Sequence, residues 1–317
     1  MYKVLISSRM FGKQNDEPLN LIKKNGCEVV DNPYQGSTLN QDQLIELIEG
    51  VDAAIVGDDY FSKKVIEKAN KLKVISKYGV GTDRIDVEAA TKKGIVVTNT
   101  PGSNKDAVAD MVFTLMLSIS RQIFQAVNVV QRGEWKVVIG HELSRKTLGI
   151  IGLGRIGKEV AVRAQGFNME ILAFDPHPDK EFIQSYKIKM VDLQTLLSTS
   201  DFVTLHLPSL LSTKGMLDKD KIHSMKKDAF LINTARGDII DELALYNALK
   251  ERKIAGAALD TLQKEPPSNN PILTLDNVIV TPHIGGHSYE SNYNMGMASS
   301  QNIIKVLNGE KPLYSVN

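Results

Sequence analysis

The sequence predicts an α/β protein made of two doubly wound parallel-sheet domains. Three observations carry that expectation. Short β-branched runs alternate with amphipathic helical stretches along nearly all of the chain. The alternation breaks once, at Thr100-Pro101-Gly102-Ser103-Asn104, and then resumes. The second stretch opens on a glycine-rich turn set between an apolar run and a helical one. At 317 residues the chain exceeds one comfortable hydrophobic core, so two domains is the natural division.

Before the break, strand-like runs stand at 3–6, 27–30, 53–56, 74–76 and 95–98, with helical stretches such as 43–48, 63–70 and 87–93 between them. Alternation of that kind implies a parallel sheet covered by helices on both faces. No phosphate-binding fingerprint occurs in this half. Asp58 and Asp59 are paired acids without metal-ligand spacing around them and read as a loop.

After Asn104 the spacing of Val108, Met111, Val112, Leu115, Met116 and Ile119 predicts a long helix. Phe113 and Leu117 make it apolar almost all round, which calls for burial on more than one side. It is expected either between the domains or in a subunit interface. Arg132-Gly133-Glu134-Trp135, with the only tryptophan, reads as a loop. That Trp is either an interface anchor or packed on its own domain. Seven strands follow, at 148–152, 171–174, 188–191, 202–206, 229–233, 256–259 and 278–281, enough for a complete doubly wound sheet. From about residue 289 the tail reads as a helix with Tyr293, Met297, Ser300, Ile304 and Leu307 on one face.

Composition narrows the setting. A net charge of +1 offers no field for nucleic acid or an anionic membrane. The single cysteine, Cys27, excludes an internal disulfide and fits a reducing compartment. The start, MYKVLISSRM, lacks the apolar region and cleavage site of a signal peptide. No apolar stretch reaches the ~18 residues of a membrane span. A cytoplasmic protein is expected.

The organising stretch runs from Lys146 to Asp175. An apolar run leads into Gly152-Leu153-Gly154-Arg155-Ile156-Gly157, a helix follows, and a second apolar run ends in Asp175. This is the β-turn-α-β pattern that binds a dinucleotide. Gly152 serves the tight turn, Gly154 the close approach of backbone to pyrophosphate, and Gly157 the packing of helix on strand. The amides near Arg155 and Ile156 open the helix, where its dipole favours negative charge. Asp175 lies 23 residues beyond Gly152, near the ~20 expected of the carboxylate that takes the ribose hydroxyls. A carboxylate repels a 2′-phosphate, and Pro176, His177 and Pro178 include no arginine to accept one, so NAD is favoured over NADP.

In open α/β sheets ligands sit beyond the carboxyl ends of the strands. Three predicted strand ends there carry reactive side chains: Arg236 in Thr234-Ala235-Arg236-Gly237, Glu265 before Pro266-Pro267, and His283 in Pro282-His283-Ile284. An arginine is a fixed bidentate donor for a carboxylate. A histidine trades a proton near neutral pH, and a neighbouring carboxylate would orient it and favour its protonated form. Singly, each has an ordinary structural reading as an ion pair or a hydrogen-bonded loop residue. His206 also ends a strand, but with no candidate carboxylate beside it, it reads as structural or cofactor-adjacent.

Taken together, the motifs resemble the D-isomer-specific 2-hydroxyacid dehydrogenase family, in its short phosphoglycerate dehydrogenase-like form without a C-terminal regulatory domain. Lys77-Tyr78-Gly79-Val80-Gly81-Thr82-Asp83, NTPGSN at 99–104, GLGRIG at 152–157, NTARG at 233–237, LDTLQKEPP at 259–267 and TPHIGG at 281–286 carry the resemblance in family order. The resemblance implies an NAD-dependent oxidoreductase with a flavodoxin-like substrate domain, residues 1–99 plus 289–317, and a Rossmann NAD domain, 100–288, facing one another across a cleft. It implies a homodimer through the NAD domain, which would account for the apolar helix at 104–119 and the Trp135 loop. Arg236 would grip the substrate carboxylate and keto oxygen, His283 would be the general acid/base, and Glu265 its partner. Substrate contacts are implied at Lys77, Tyr78, Gly79, Val80 and Gly81. Cofactor contacts are implied at Gly152, Gly154, Arg155, Ile156, Gly157, Asp175, Leu207, Thr234, Ala235, Asp260, Gly285 and Gly286.

The substrate expected first is 3-phosphoglycerate, oxidised to 3-phosphohydroxypyruvate in serine biosynthesis, without the serine feedback of longer forms. The departure is at Val56-Gly57-Asp58-Asp59-Tyr60, which has two acids where phosphoglycerate enzymes of this family place arginines. Lys77, Lys63, Lys64, Lys136 or a partner subunit would have to supply the cation. Hydroxypyruvate, glyoxylate or another small 2-keto acid is the alternative substrate. Relatives that act as NAD-sensing corepressors form a different class, but no added interaction tail is present. Formate dehydrogenases of this fold carry glutamine where Glu265 stands, which argues against them.

Overall fold

The computed structural model describes residues 1–30, 32–34 and 38–317. The chain divides into two compact units, Met1–Asn104 with Gly286–Asn317, and Lys105–Gly285.

The first unit runs β1 (Tyr2–Ile6), α1 (Glu17–Lys24), β2 (Cys27–Val30), α2 (Gln41–Ile48), β3 (Ala53–Val56), α3 (Lys63–Lys68), β4 (Val74–Lys77), α4 (Val87–Lys92) and β5 (Val96–Thr98). Its sheet has the order β2-β1-β3-β4-β5 with every pairing parallel. That is the flavodoxin-like order. β3 and β4 are buried along their whole length, as strands covered on both faces must be. Asn40 opens α2 with a capping box to Gln43, and Asp86 caps α4 through the Ala89 amide.

The second unit runs α5 (Lys105–Ser120), α6 (Ile123–Gln131), β6 (Thr147–Ile151), α7 (Arg155–Gly166), β7 (Glu170–Phe174), α8 (Lys180–Ser185), β8 (Lys189–Met190), α9 (Leu193–Thr199), β9 (Phe202–Leu205), α10 (Lys219–His223), β10 (Phe230–Asn233), α11 (Glu242–Lys250), β11 (Gly256–Leu259) and β12 (Val278–Val280). The order β12-β11-β10-β9-β6-β7-β8 is all parallel, a Rossmann sheet extended by one strand, and it reverses between β6 and β9. Asp179, Asp192, Asp218 and Asp241 cap the starts of α8, α9, α10 and α11.

Two expectations need correction. The all-round apolar helix, α5, is covered by its own unit: it packs on α7 and against β10, β11 and β12, burying Val108, Val112, Phe113, Leu115, Met116 and Ile119. The chain then turns by 60° at Gln122, whose φ of +51° is left-handed, into α6, which buries nothing. Ile123, Phe124, Val127 and Val130 of α6 are exposed, as are Trp135, Val137 and Ile139 beyond it. The unpartnered apolar surface is therefore mainly on α6 and its following arm, with Leu117 the one large apolar side chain that α5 leaves exposed.

The tail helix α12 (Tyr289–Leu307) returns to the first unit, but its buried face is rotated from the expected one. It buries Ser291, Met295, Gly296, Ser299, Ser300, Ile303 and Leu307 against α1 and β4. Small residues let the backbones approach: a Cβ on Gly296 would lie 2.8 Å from Pro18 Cγ, and Ser300 Oγ donates to the Pro18 carbonyl at 2.9 Å. No single helix among the described residues is long and apolar enough to cross a membrane.

Candidate functional site

The glycine turn joins β6 to α7 beside the reversal point of the second sheet. Gly152 has φ +95°, and a Cβ there would lie 2.7 Å from the His206 carbonyl oxygen and 2.9 Å from Leu207 Cδ2. A Cβ on Gly157 would lie 2.1 Å from the Gly152 oxygen, so helix and turn close only on glycine. Gly154 differs: no other protein atom stands within 4 Å of its Cβ position. The protein itself demands Gly152 and Gly157, whereas Gly154 opens on free space. No side chain caps the start of α7, so Arg155 and Ile156 bring an uncapped helix start to that space.

Asp175 follows β7 and holds the turn. One carboxylate oxygen accepts from the Leu153 amide and the other from the His177 amide, both at 2.7 Å. Each oxygen keeps a further lone pair, so holding the turn and receiving ribose hydroxyls are compatible. Thr234, after β10, carries a buried hydroxyl without a protein partner. The open cradle at Gly154, the uncapped helix start, the strand-end carboxylate and this orphaned hydroxyl fit a dinucleotide. The Ala235 and Gly285 amides are already given to Asn233 Oδ1 at 3.0 Å and to Asp260 Oδ2 at 2.7 Å. Gly286 lies in the first unit, where its carbonyl accepts from Ser291 Oγ.

Arg236, Glu265 and His283 come from three different strand ends of the second sheet. Arg236 follows β10, with its backbone carbonyl held by the Asn233 side chain at 2.8 Å and its Nη1 donating to the Ala235 carbonyl at 2.7 Å. Glu265 lies in the loop after β11, before a cis bond to Pro266. Its Oε1 accepts from the Leu262 amide at 3.1 Å, and its Oε2 lies 2.9 Å from His283 Nδ1. The carboxylate is thus fixed at one end and holds the imidazole at the other, which leaves Nε2 as the ring nitrogen available for proton exchange.

Asp260 orients the loop that carries His283. Its Oδ1 accepts from Thr281 Oγ1 at 2.6 Å and the Ile284 amide at 2.9 Å, while Oδ2 accepts from Gly285. His283 itself has φ +55°, a left-handed conformation that this anchoring sustains. The hydrogen bond to Glu265 raises the His283 pKa above the usual imidazole value, against the opposing effect of burial; Glu265 and Asp260 charge add to the rise and Arg236 charge offsets part of it. His206 goes the other way: burial pushes its pKa down to about 3, and Thr204 Oγ1 lies 3.0 Å from its Nε2.

The loop after β4 divides the implied substrate residues. Tyr78 is corrected as a side-chain contact: its ring packs in the core edge-on to Phe11, its hydroxyl donates to the Asn292 carbonyl at 2.9 Å and its amide to the Val56 carbonyl, so neither donor remains for a ligand. The Gly79 amide donates to Thr100 Oγ1 at 3.2 Å. The amides of Val80 and Gly81 have no protein acceptor among the described residues. Lys77 is nearly buried, and its ammonium donates to the Gly57 carbonyl and lies 3.7 Å from Asp58.

Sequence reasoning missed Arg9. It follows β1, and its guanidinium stands 3.5 Å from Asp58 Oδ2, while Arg84 donates to the Asp58 carbonyl at 3.0 Å. Arginines therefore do reach the loop that has none of its own, from the ends of other segments. The rule that ligands gather where strand order reverses, here between β1 and β3, is the signal that would have found Arg9. Lys63 and Lys136 are exposed and paired with Glu67 and Glu134.

Comparison with known proteins follows the same division. The profile described as D-isomer specific 2-hydroxyacid dehydrogenase, NAD binding domain, matches residues 113–285. The chain is 48% identical over 283 residues to a D-3-phosphoglycerate dehydrogenase of Methanocaldococcus jannaschii, covering 88% of this chain and 54% of that protein. It is 40% identical to a glyoxylate reductase of Thermococcus litoralis, covering 93% of this chain and 94% of that one. Among solved structures, a D-lactate dehydrogenase from Aquifex aeolicus complexed with NAD and lactic acid matches with a TM-score of 0.85 at 27% identity, covering 97% and 96% of the two chains. The chain spans about half the length of the phosphoglycerate dehydrogenases it matches. The chain belongs to the D-isomer specific 2-hydroxyacid dehydrogenase family, and its second unit is that family's NAD-binding domain.

Proposed function

We propose that this protein is an NAD-dependent D-2-hydroxyacid dehydrogenase that also runs as a 2-keto acid reductase. The observation that carries the reading is the Glu265–His283 pair, at 2.9 Å, beside Arg236 at neighbouring strand ends. Bound nicotinamide supplies or accepts the hydride at substrate C2. In reduction, protonated His283 donates from Nε2 to the forming hydroxyl; in oxidation, the neutral ring takes that proton back. Glu265 keeps the ring oriented and favours its charged form. Arg236, charged throughout, holds the substrate carboxylate and stabilises negative charge at the keto oxygen without reorganising. In the first unit, the Val80 and Gly81 amides are open donors of the kind an anionic substrate group takes. Asp175 takes the adenosine ribose and selects NAD over NADP.

For the substrate, identity to phosphoglycerate dehydrogenases supports 3-phosphoglycerate and a place in serine biosynthesis. A second reading, reduction of hydroxypyruvate or glyoxylate, is favoured by Asp58 among the cations and by the match along nearly the full length of a glyoxylate reductase. The exposed apolar side chains of α6 and the arm to Ile139 support a homodimer, because a two-fold axis lets one such patch cover its own copy. Cys27, a buried free thiol, supports a reducing, cytoplasmic setting.

The test is NADH oxidation by the purified protein against 3-phosphohydroxypyruvate, hydroxypyruvate, glyoxylate and pyruvate. Turnover of at least one is expected, with NADPH the poorer donor. No turnover of any would overturn the reading and favour an NAD-sensing binding protein.

A further inference from the structure

In the first unit, the reversal of strand order lies between β1 and β3, and three cations from separate segments gather there around one acid. Arg9 arrives from the end of β1, Lys77 from the end of β4, and Arg84 from the loop before α4. Arg84 bonds the Asp58 backbone and so fixes the root of its side chain. Arg9 and Lys77 face the two oxygens of the carboxylate, at 3.5 and 3.7 Å. The adjacent acid is held apart from solvent: Asp59 is 2% exposed and its Oδ1 accepts from the Leu39 amide at 2.7 Å, although its charge still acts on Lys77 and Asp58. Asp58 and Arg9, by contrast, are about half exposed, at 51% and 48%.

We propose that Asp58 is the specificity-determining residue of an anion subsite formed by Arg9 and Lys77, and that its charge sets the preference for 2-keto acids without a phosphate. The proposal rests on the reading that the first unit holds the substrate of a 2-hydroxyacid dehydrogenase. The groups that meet at the Asp58 carboxylate, Arg9, Lys77 and Asp58 itself, carry one net positive charge between them, less than the two negative charges of a phosphomonoester. A phosphomonoester adds a dianion, which needs both cations. Asp58 is tethered beside them, competes for them and repels the incoming group across a few ångströms. A substrate with hydrogen or hydroxyl at C3 meets no such opposition. Discrimination here works by a repulsive element built into an otherwise attractive site.

The experiment compares wild type with Asp58→Asn, which keeps the shape and removes the charge. The readout is the ratio of kcat/KM for 3-phosphohydroxypyruvate to that for hydroxypyruvate, with NADH as donor. In wild type the unphosphorylated acid should be preferred. The ratio should shift toward the phosphorylated acid by about 10- to 100-fold in Asp58→Asn, chiefly through its KM, the scale of losing or gaining one close charge contact. Adding Arg9→Gln to that variant should cancel the shift. In parallel, calorimetric binding of 3-phosphoglycerate should tighten in Asp58→Asn, and Asp58→Ala should move both readouts in the same direction.

An unchanged ratio in folded variants that still turn over hydroxypyruvate would overturn the proposal while leaving the dehydrogenase reading intact. So would a wild-type preference for the phosphorylated acid. Absence of turnover in every protein would instead overturn the dehydrogenase reading. The binding arm would then decide the subsite: tighter 3-phosphoglycerate binding in Asp58→Asn supports it, and unchanged binding overturns it.

Discussion

His206 and His283 both stand just beyond strands of the same parallel sheet, after β9 and β12, yet they are opposite kinds of acid. Burial lowers the His206 pKa to about 3, which keeps the ring neutral, and Thr204 Oγ1 lies 3.0 Å from its Nε2. His283 is 43% exposed at its side chain and is bonded through Nδ1 to a carboxylate that is itself fixed by a backbone amide. Desolvation acts against the charged form of both rings. Only at His283 does a hydrogen bond to an anion overcome it. A strand-end position supplies location, and the second residue supplies the chemistry.

The contrast is most open to attack at the imidazoles themselves. His283→Asn should lower kcat/KM for keto-acid reduction by about 10²–10⁴, the worth of a positioned general acid, with NAD affinity little changed. A loss below about tenfold would mean that another group donates the proton. Glu265→Gln sharpens the comparison by leaving the ring and removing the anion. Reduction needs protonated His283, so its rate falls as pH rises through the His283 pKa. Because Glu265 raises that pKa, the falling limb of kcat/KM against pH should move to lower pH in the variant. A rate loss of about 10- to 100-fold at neutral pH should accompany it, the worth of one hydrogen bond to a charged group. A pH profile that does not move would reduce Glu265 to a structural role. The smallest effect is expected at His206→Gln: the same pH limb as wild type, and a stability loss of ~1 kcal/mol for one altered hydrogen bond, read by denaturant unfolding.

Much of the site was legible because its parts are local. The GLGRIG turn, Asp175 and the three strand-end residues each sit within a few residues of an apolar run that becomes a strand, so finding the run finds the residue. Asp260 could be named but its job could not, since its hydrogen bonds reach Thr281, Ile284 and Gly285 on the next strand end. Tyr78 illustrates the reverse error. Motif position suggested a ligand contact, but Tyr78, just past the end of β4, turns its ring into the core and bonds the Asn292 carbonyl of α12.

The helices divide in the same way. An apolar stripe at helical spacing predicted α5 correctly as a helix but not which surface covers it, because hydrophobicity says that a face is buried and not by what. The buried face of α12 was misplaced because serines and glycine, polar or neutral by composition, are what allow its backbone to approach α1.

By itself the sequence determined a parallel α/β architecture, a dinucleotide turn and the residues that end its strands, all consequences of short-range periodicity and of glycine's backbone freedom. The tertiary structure decided that α6 is left uncovered, that His206 stays neutral while His283 is charged more readily, and that Arg9 meets Asp58 from 49 residues away. The reason is common to all three. Burial, field and ion pairing depend on which elements become neighbours, and sheet order makes neighbours of strands that the chain keeps far apart.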